Sequence, residues 1–83
     1  MSIKEKLIIR IKSKPKDFTY NELKTLLISL RFKLHNKGKT SGSRVKFFKS
    51  NIPVILHKPH PKNELPEYQI NQILEILEKE RLI

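Results

Sequence analysis

Hydrophobic residues recur at helical spacing most clearly in residues 19–30. Four leucines there fall on one side of a helix: Leu23, Leu26, Leu27 and Leu30. Thr19 and Glu22 have the spacing of a capping box, in which each side chain accepts a hydrogen bond from the other residue's backbone N–H. Phe18 stands just before the cap, where a hydrophobic staple to Leu23 is expected. The pattern therefore predicts a helix over residues 19–30.

Two further helices are predicted towards the two ends of the sequence. A basic helix over residues 2–14 starts with a possible capping pair, Ser2 and Glu5, and ends before Pro15. The last helix follows Pro66, a residue that suits the first helical turn. Its apolar residues lie at offsets of 0, 3, 4 and 7 from the first of them: Ile70, Ile73, Leu74 and Leu77.

Within residues 32–57, two short segments alternate between apolar and polar side chains, a pattern typical of strands. The alternation covers residues 32–35 and 44–47, and Phe48 interrupts it. A short apolar run follows at residues 53–57. Turn-forming residues separate the three segments: the Gly and Ser residues within 37–43, then Asn51 and Pro53.

These elements predict an α+β fold, a two-layer sandwich. Three consecutive short strands form an antiparallel meander. Helices with one apolar stripe bury it against a sheet or against each other, so the second and last helices are expected to cover one face of the three-stranded sheet. The other face stays open, and Arg44 and Lys46 are expected on it.

The adjacent aromatic residues Phe47 and Phe48 test this arrangement. A regular strand sends neighbouring side chains to opposite faces, so one ring belongs to the core. The other ring could stack on an RNA base or pack against a partner protein. A β-bulge that places both rings inside is the alternative.

The charge of the chain changes sign along its length. The 83 residues carry 18 Lys and Arg against 8 Asp and Glu, a net charge of +10. Residues 31–62 hold nine basic and no acidic side chains, whereas residues 63–83 hold two basic and five acidic ones. A long segment of one sign focuses a positive potential, whose natural partner is the phosphate backbone of RNA or DNA. A basic surface that only keeps the protein in solution is the alternative.

Composition excludes several classes of function. Without cysteine the chain has no disulfide framework, thiolate zinc site or thiol nucleophile. No apolar run approaches the ~20 residues that span a membrane, and the first residues lack an apolar signal segment. The absence of acids from residues 31–62 disfavours a magnesium-dependent nuclease. We therefore expect a cytoplasmic domain that uses no membrane, cofactor or metal.

Three local motifs of the sequence, taken together, resemble those of one known family. Residues 59–66 read Pro-His-Pro-Lys-Asn-Glu-Leu-Pro and precede a helix with the pair Ile73 and Leu74. The residues Gly42, Ser43 and Arg44 lead into the middle strand, and the leucine stripe is followed by Phe32. Over about residues 19–80 the chain resembles the HicA toxins of type II bacterial toxin–antitoxin systems.

The resemblance implies a fold like that of double-stranded-RNA-binding domains and an mRNA endoribonuclease that needs no metal. It also implies a HicB-like antitoxin as partner, besides RNA itself. Residues 17–83 would form the HicA-like domain, and residues 1–16 would be a basic helical extension. We expect the free chain to be a monomer.

The chain departs from the family at the residue held responsible for cleavage. The family has Gly-Ser-His where this sequence has Gly-Ser-Arg, so Arg44 takes the histidine's position. Arginine stays protonated and can stabilise phosphate charge, but it cannot accept a proton. Another group must then act as the base, and the chain has three histidines: His35, His57 and His60.

The family motif favours His60, so the predicted catalytic residues are His60, Arg44 and Ser43. His60 could instead only order its loop, and Ser43 could only shape the start of the strand. His57 and His35 are the other two candidates for the base, and the ordinary alternative for each is a half-exposed sheet residue without a role in catalysis. The predicted RNA-binding residues are Lys37, Lys39, Arg44, Lys46 and Lys58.

A second hypothesis keeps the fold and removes the chemistry. In that case the chain is a non-catalytic module that binds RNA or a protein, and Arg44 marks the loss of the catalytic histidine. A third possibility, a small ribosome-associated protein, rests on charge alone.

Overall fold

The computed structural model describes residues 2–35, 44–57 and 63–83. Within them the chain forms three helices and a three-stranded antiparallel sheet in the order β1-β2-β3. This confirms the predicted α+β class. The elements in chain order are α1 (Ile3–Lys12), α2 (Tyr20–Ser29), β1 (Lys33–His35), β2 (Arg44–Lys49), β3 (Ile52–His57) and α3 (Glu67–Lys79).

Helix α2 begins with the predicted capping box. Thr19 Oγ1 accepts the Glu22 backbone N–H at 3.2 Å, and Glu22 Oε1 accepts the Thr19 backbone N–H at 3.0 Å. The staple residues Phe18 and Leu23 are both fully buried. The backbone N–H groups of Thr19 and Glu22 are therefore satisfied locally, which fixes where the helix starts.

A two-residue turn, Ser50 and Asn51, connects β2 to β3. Ser50 has a φ of 52°, and the tight turns that suit a β-hairpin need a positive φ at this first position. Strand β2 continues in register past Phe48, which was predicted to interrupt it. Pro53, predicted to mark the turn, instead lies inside β3. Because β3 is an edge strand, the proline nitrogen can face away from β2, and the hydrogen bonds between β2 and β3 are not interrupted.

The core lies between the helices and one face of the sheet. Helix α1 belongs to it, because Ile11 is fully buried and Leu7 nearly so, and α1 packs on α2 and α3. The boundary predicted between residues 16 and 17 stays a prediction. The most buried side chains are Ile11, Phe18, Leu23, Leu26, Leu27, Phe47, Val54, Leu56, Ile70, Ile73 and Leu77.

Arg10 joins α1 to the start of α2. Its Nε donates to Glu22 Oε2 at 2.6 Å, and its Nη2 donates to Asp17 Oδ1 at 3.1 Å. The guanidinium also lies 5.6 Å from the centre of the Phe18 ring. The hydrogen bond from Arg10 holds the pKa of the Glu22 carboxyl below its ordinary value. Partial burial raises this pKa, whereas the hydrogen bond from the Thr19 backbone N–H lowers it further. We call Arg10, Asp17 and Glu22 the arginine clamp.

A short backbone pairing leads the chain into α3. Tyr20 donates its backbone N–H to the carbonyl of Asn63 at 2.8 Å, and Leu65 donates to the carbonyl of Phe18 at 2.8 Å. The start of α3 is thereby held against the start of α2. This pairing fixes the place where the chain returns from the sheet to the helical layer.

Candidate functional site

Among the residues that the structure describes, no helix or strand packs on one face of the sheet. Side chains alternate along a strand, and residues paired across antiparallel strands share a face. The register therefore places eight described residues on the side away from the helices, and we call this set the outer sheet face: Lys33, His35, Arg44, Lys46, Phe48, Pro53, Ile55 and His57. Six of them are exposed, while His35 and Phe48 are half-buried.

The outer sheet face has three rows that run across the strands. In the first row Phe48 lies between Lys33 and Pro53. In the second, Lys46 lies between His35 and Ile55, and in the third Arg44 is directly opposite His57. Side chains in such rows have Cβ atoms about 4.5–5.5 Å apart.

The charge of the outer sheet face is not neutralised by neighbouring acids. Both ion pairs found among residues 2–35, 44–57 and 63–83 are made by Arg10 on the helical side. Lys33, Arg44 and Lys46 make no ion pair within those ranges. The eight residues of this face include no Asp or Glu. An unpaired group of cations on an open face attracts an anionic partner.

The two adjacent aromatic residues have separated as a regular strand requires. Phe47 is fully buried in the core, and Phe48 lies on the outer sheet face. No bulge brings both inside. The Phe48 ring meets the ring of His35 edge to face, with 5.9 Å between the ring centres and 74° between the planes. The His35 imidazole is thus occupied in packing against an aromatic neighbour.

His57 is held by a buried side chain that sequence reasoning missed. Gln69 on α3 accepts the His57 backbone N–H through Oε1 and donates to the His57 carbonyl through Nε2, both at 3.4 Å. The Gln69 side chain is only 5% exposed. A signal was present in the sequence, because Gln69 lies four residues before Ile73, on the apolar stripe of its helix.

The structure brings together only some of the predicted site residues. Arg44 and Lys46 lie on the outer sheet face as expected. His57 is exposed beside buried Leu56, again as expected. The other predicted catalytic and RNA-binding residues lie outside the described ranges, and their place in the site stays a prediction: Ser43, His60, Lys37, Lys39 and Lys58.

The family model for the HicA toxin of bacterial toxin–antitoxin systems matches residues 20–78. The chain belongs to the HicA toxin family. The matched segment starts at the first residue of α2, includes the whole sheet and leaves α1 outside. A comparison with curated proteins gave no match, and neither did one with solved structures.

Membership in the HicA family confirms the resemblance seen in the sequence motifs. It identifies the chain as a toxin of the toxin–antitoxin class and implies an antitoxin partner. None of the helices described here has the length and apolar content to cross a membrane. Within the described ranges, His, Asp and Glu side chains form no group of three that could hold a metal ion.

Proposed function

We propose that this HicA protein binds mRNA on its outer sheet face and cleaves it without a metal ion, and that a HicB-like antitoxin inhibits it. The observation that carries the proposal is the open face of the sheet, where Arg44 and Lys46 have no acidic partner among the described residues. A toxin of this family needs a surface that a polyanion can reach, and this face supplies one.

RNA binding rests on phosphate contacts. Arg44 and Lys46 are two residues apart on β2, so their side chains leave the sheet on the same side. Lysines predicted to extend this surface come from the segments on either side of β2 and β3: Lys37, Lys39 and Lys58. Each phosphate neutralised by a cation releases condensed counterions, so binding should weaken steeply as salt increases.

Cleavage requires a proton acceptor, a proton donor and a cation near the phosphate. Arg44 suits the third task, because its guanidinium stays charged and can donate two hydrogen bonds to phosphate oxygens. The family motif assigns a proton-transfer role to His60 and a phosphate contact to Ser43. No step in this scheme calls for a cofactor.

Inhibition follows from the same surface. The net charge of +10 gives an acidic antitoxin strong attraction at long range. An antitoxin that covers Arg44 and Lys46 with carboxylates would occupy the RNA phosphate positions. Such binding competes directly with RNA and needs no change in the fold of the toxin.

The experiment that tests the proposal is cleavage of single-stranded RNA by the purified chain with a chelator present. Arg44→Ala should lower the cleavage rate at least about tenfold, because each lost hydrogen bond to a developing charge costs roughly that much or more. His60→Ala is measured beside it. Metal-independent cutting that a substitution removes would support the proposal, whereas intact RNA at high enzyme concentration would contradict it.

A non-catalytic binding module is the second candidate. What favours it is the motif Gly42, Ser43 and Arg44, which the resemblance aligns with the family's Gly-Ser-His, so that Arg44 would replace the catalytic histidine. In that case RNA would remain intact while the chain retained it in a salt-sensitive complex. Arg44→Ala would then weaken retention only, and His60→Ala would leave RNA integrity unchanged.

A further inference from the structure

His57 is the histidine that strand pairing places directly opposite Arg44. Both side chains lie on the outer sheet face and both are exposed. The family motif does not include His57, which lies three residues before the motif histidine. An imidazole beside an arginine is a pairing of proton acceptor and phosphate-binding cation on one accessible surface.

The type of strand pairing brings the side chains of Arg44 and His57 close together. In an antiparallel ladder, hydrogen-bonded pairs alternate with non-hydrogen-bonded pairs. A two-residue hairpin turn is closed by a hydrogen bond between the residues that flank it, here Lys49 and Ile52. The alternation then makes Arg44 with His57 a non-hydrogen-bonded pair. Such pairs have Cα atoms only about 4.5 Å apart and bring their side chains closest together.

Gln69 supports the same assignment independently. Its amide bonds to both the N–H and the C=O of His57, so these backbone groups point away from β2 and towards α3. That direction is the one a non-hydrogen-bonded pair requires. Because Gln69 is buried, the bonds also hold the last residue of β3, a position where an edge strand would otherwise fray.

We propose that His57 is the proton acceptor of RNA cleavage and that Arg44 binds the phosphate under attack. This inference rests on the proposed ribonuclease function and names a residue for it. The His57 imidazole takes the proton of a ribose 2′-hydroxyl as that oxygen bonds to the adjacent phosphorus. The bond from phosphorus to the 5′-oxygen breaks, and the leaving oxygen takes a proton from a water molecule. The hydroxide so formed takes the proton that His57 holds, which returns the imidazole to its starting state. The products are a 2′,3′-cyclic phosphate and a 5′-hydroxyl end.

Arg44 completes the pair by balancing the negative charge that grows on the phosphate oxygens during attack. The charged groups that face His57 on the sheet are Arg44 in its own row and Lys46 diagonally along β2. Gln69, which faces it from α3, is neutral. His57 is therefore the proton acceptor within a group of cations, where the RNA backbone would bind.

His35 provides a matched control for His57. It is the other described histidine on the outer sheet face, but it lies on β1, separated from β3 by β2, and packs against Phe48. Cleavage of single-stranded RNA is measured with chelator for the full chain, His57→Ala and His35→Ala. At saturating RNA we expect His57→Ala to lose at least about a hundredfold in rate, the scale of general-base catalysis. His35→Ala alters the same RNA-binding face without removing the proposed base, so its loss should appear as weaker RNA binding, and its rate at saturating RNA should fall much less than that of His57→Ala.

Added imidazole separates chemistry from structure. It should restore part of the activity of His57→Ala, because a small base can occupy the space left by the side chain, and RNA retention should be unchanged. His57→Gln, which keeps a side chain of similar size, guards against a folding defect in the alanine variant. It should lose activity to the same extent with an unchanged circular dichroism spectrum.

Three outcomes would overturn the inference. If the unaltered chain cleaves RNA and both His57 variants keep more than a third of the rate, His57 is not the base and the proposed function still stands. Loss of activity in both variants without imidazole rescue would assign His57 a structural role. No cleavage by the unaltered chain would overturn the proposed ribonuclease function together with this inference.

Discussion

Arg10 and Arg44 have the same side chain in opposite surroundings. Arg10 lies on the helical side, bound to Asp17 and Glu22 and placed over the Phe18 ring. Arg44 lies on the outer sheet face, exposed and without an ion pair in the described part of the chain. The first arginine satisfies its charge within the fold. The second has its charge available for a partner.

The difference shows how a chain of net charge +10 remains folded while presenting a strongly basic surface. Acids are placed where two elements must be joined: Asp17 and Glu22 bind the arginine that connects α1 to α2. The sheet contributes none on its outer face. Substitutions on the helical side should therefore change stability, and substitutions on the outer sheet face should change binding and activity.

The largest expected contrast is between the two adjacent aromatic residues of β2. Phe47 fills the core and Phe48 lies on the outer sheet face. Phe47→Ala should lower the free energy of unfolding by about 3–5 kcal/mol, because it leaves a cavity, whereas Phe48→Ala should cost about 1 kcal/mol. Urea unfolding followed by circular dichroism measures both. Equal losses would mean that the outer sheet face is itself covered.

Removing the acid of the arginine clamp gives the next effect. Glu22→Ala deletes the reciprocal capping bond and the partner of Arg10, and should cost about 1–2 kcal/mol of unfolding free energy. Glu75→Ala, an exposed position on α3, is the control and should change it by less than about 0.5 kcal/mol. Arg44→Ala should resemble the control in stability while reducing RNA retention. A loss of unfolding free energy for Arg44→Ala as large as that for Glu22→Ala would mean that Arg44 also stabilises the fold.

The clamp also predicts how stability changes with pH. Because Arg10 lowers the pKa of the Glu22 carboxyl from its ordinary 4.5, the folded state binds fewer protons there than the unfolded state. The clamp's contribution is complete above pH 4.5 and is lost as the pH falls through the lowered value. Urea unfolding from pH 7 to pH 2.5 should therefore show a smaller acid loss for Glu22→Gln than for Glu75→Gln. Identical acid losses in the two variants would contradict the assignment.

The smallest expected effect concerns single lysines. Lys46→Ala should reduce the slope of log affinity for RNA against log salt by about 1, since it removes one phosphate contact. Lys24→Ala removes the same side chain from α2, on the helical side, and should leave the slope unchanged. Filter retention of a single-stranded RNA over a salt series measures both. If Lys24→Ala changes the slope equally, RNA binding extends beyond the outer sheet face.

Local rules explain what the sequence predicted well. The start of α2 depends on residues three and five positions apart, Thr19 with Glu22 and Phe18 with Leu23, so it can be recognised without knowing the rest of the fold. The side on which Arg44 and Lys46 lie follows from strand alternation alone. These features need no information about how distant segments meet.

The missed features depend on distant segments. Gln69 bonds to His57 only because α3 runs past the end of β3, and the sequence separation of twelve residues gives no indication of that approach. The arginine clamp depends on the angle between α1 and α2 in the same way. The extent of β2 was underestimated because two adjacent phenylalanines interrupt a pattern of alternating polarity, although the backbone pairing continues through both.

The bonds that Gln69 makes to His57 also protect the sheet against addition of a further strand. The backbone groups of β3 that point away from β2 belong to its non-hydrogen-bonded residues: Pro53, Ile55 and His57. Proline has no N–H to offer, and the groups of His57 are already engaged. Within the described part of the chain, Ile55 is then the one residue of β3 whose N–H and C=O both remain available to pair outwards, too short a template for edge-to-edge aggregation. A chain that must keep one face of its sheet open for a partner can in this way still resist unwanted pairing along that edge.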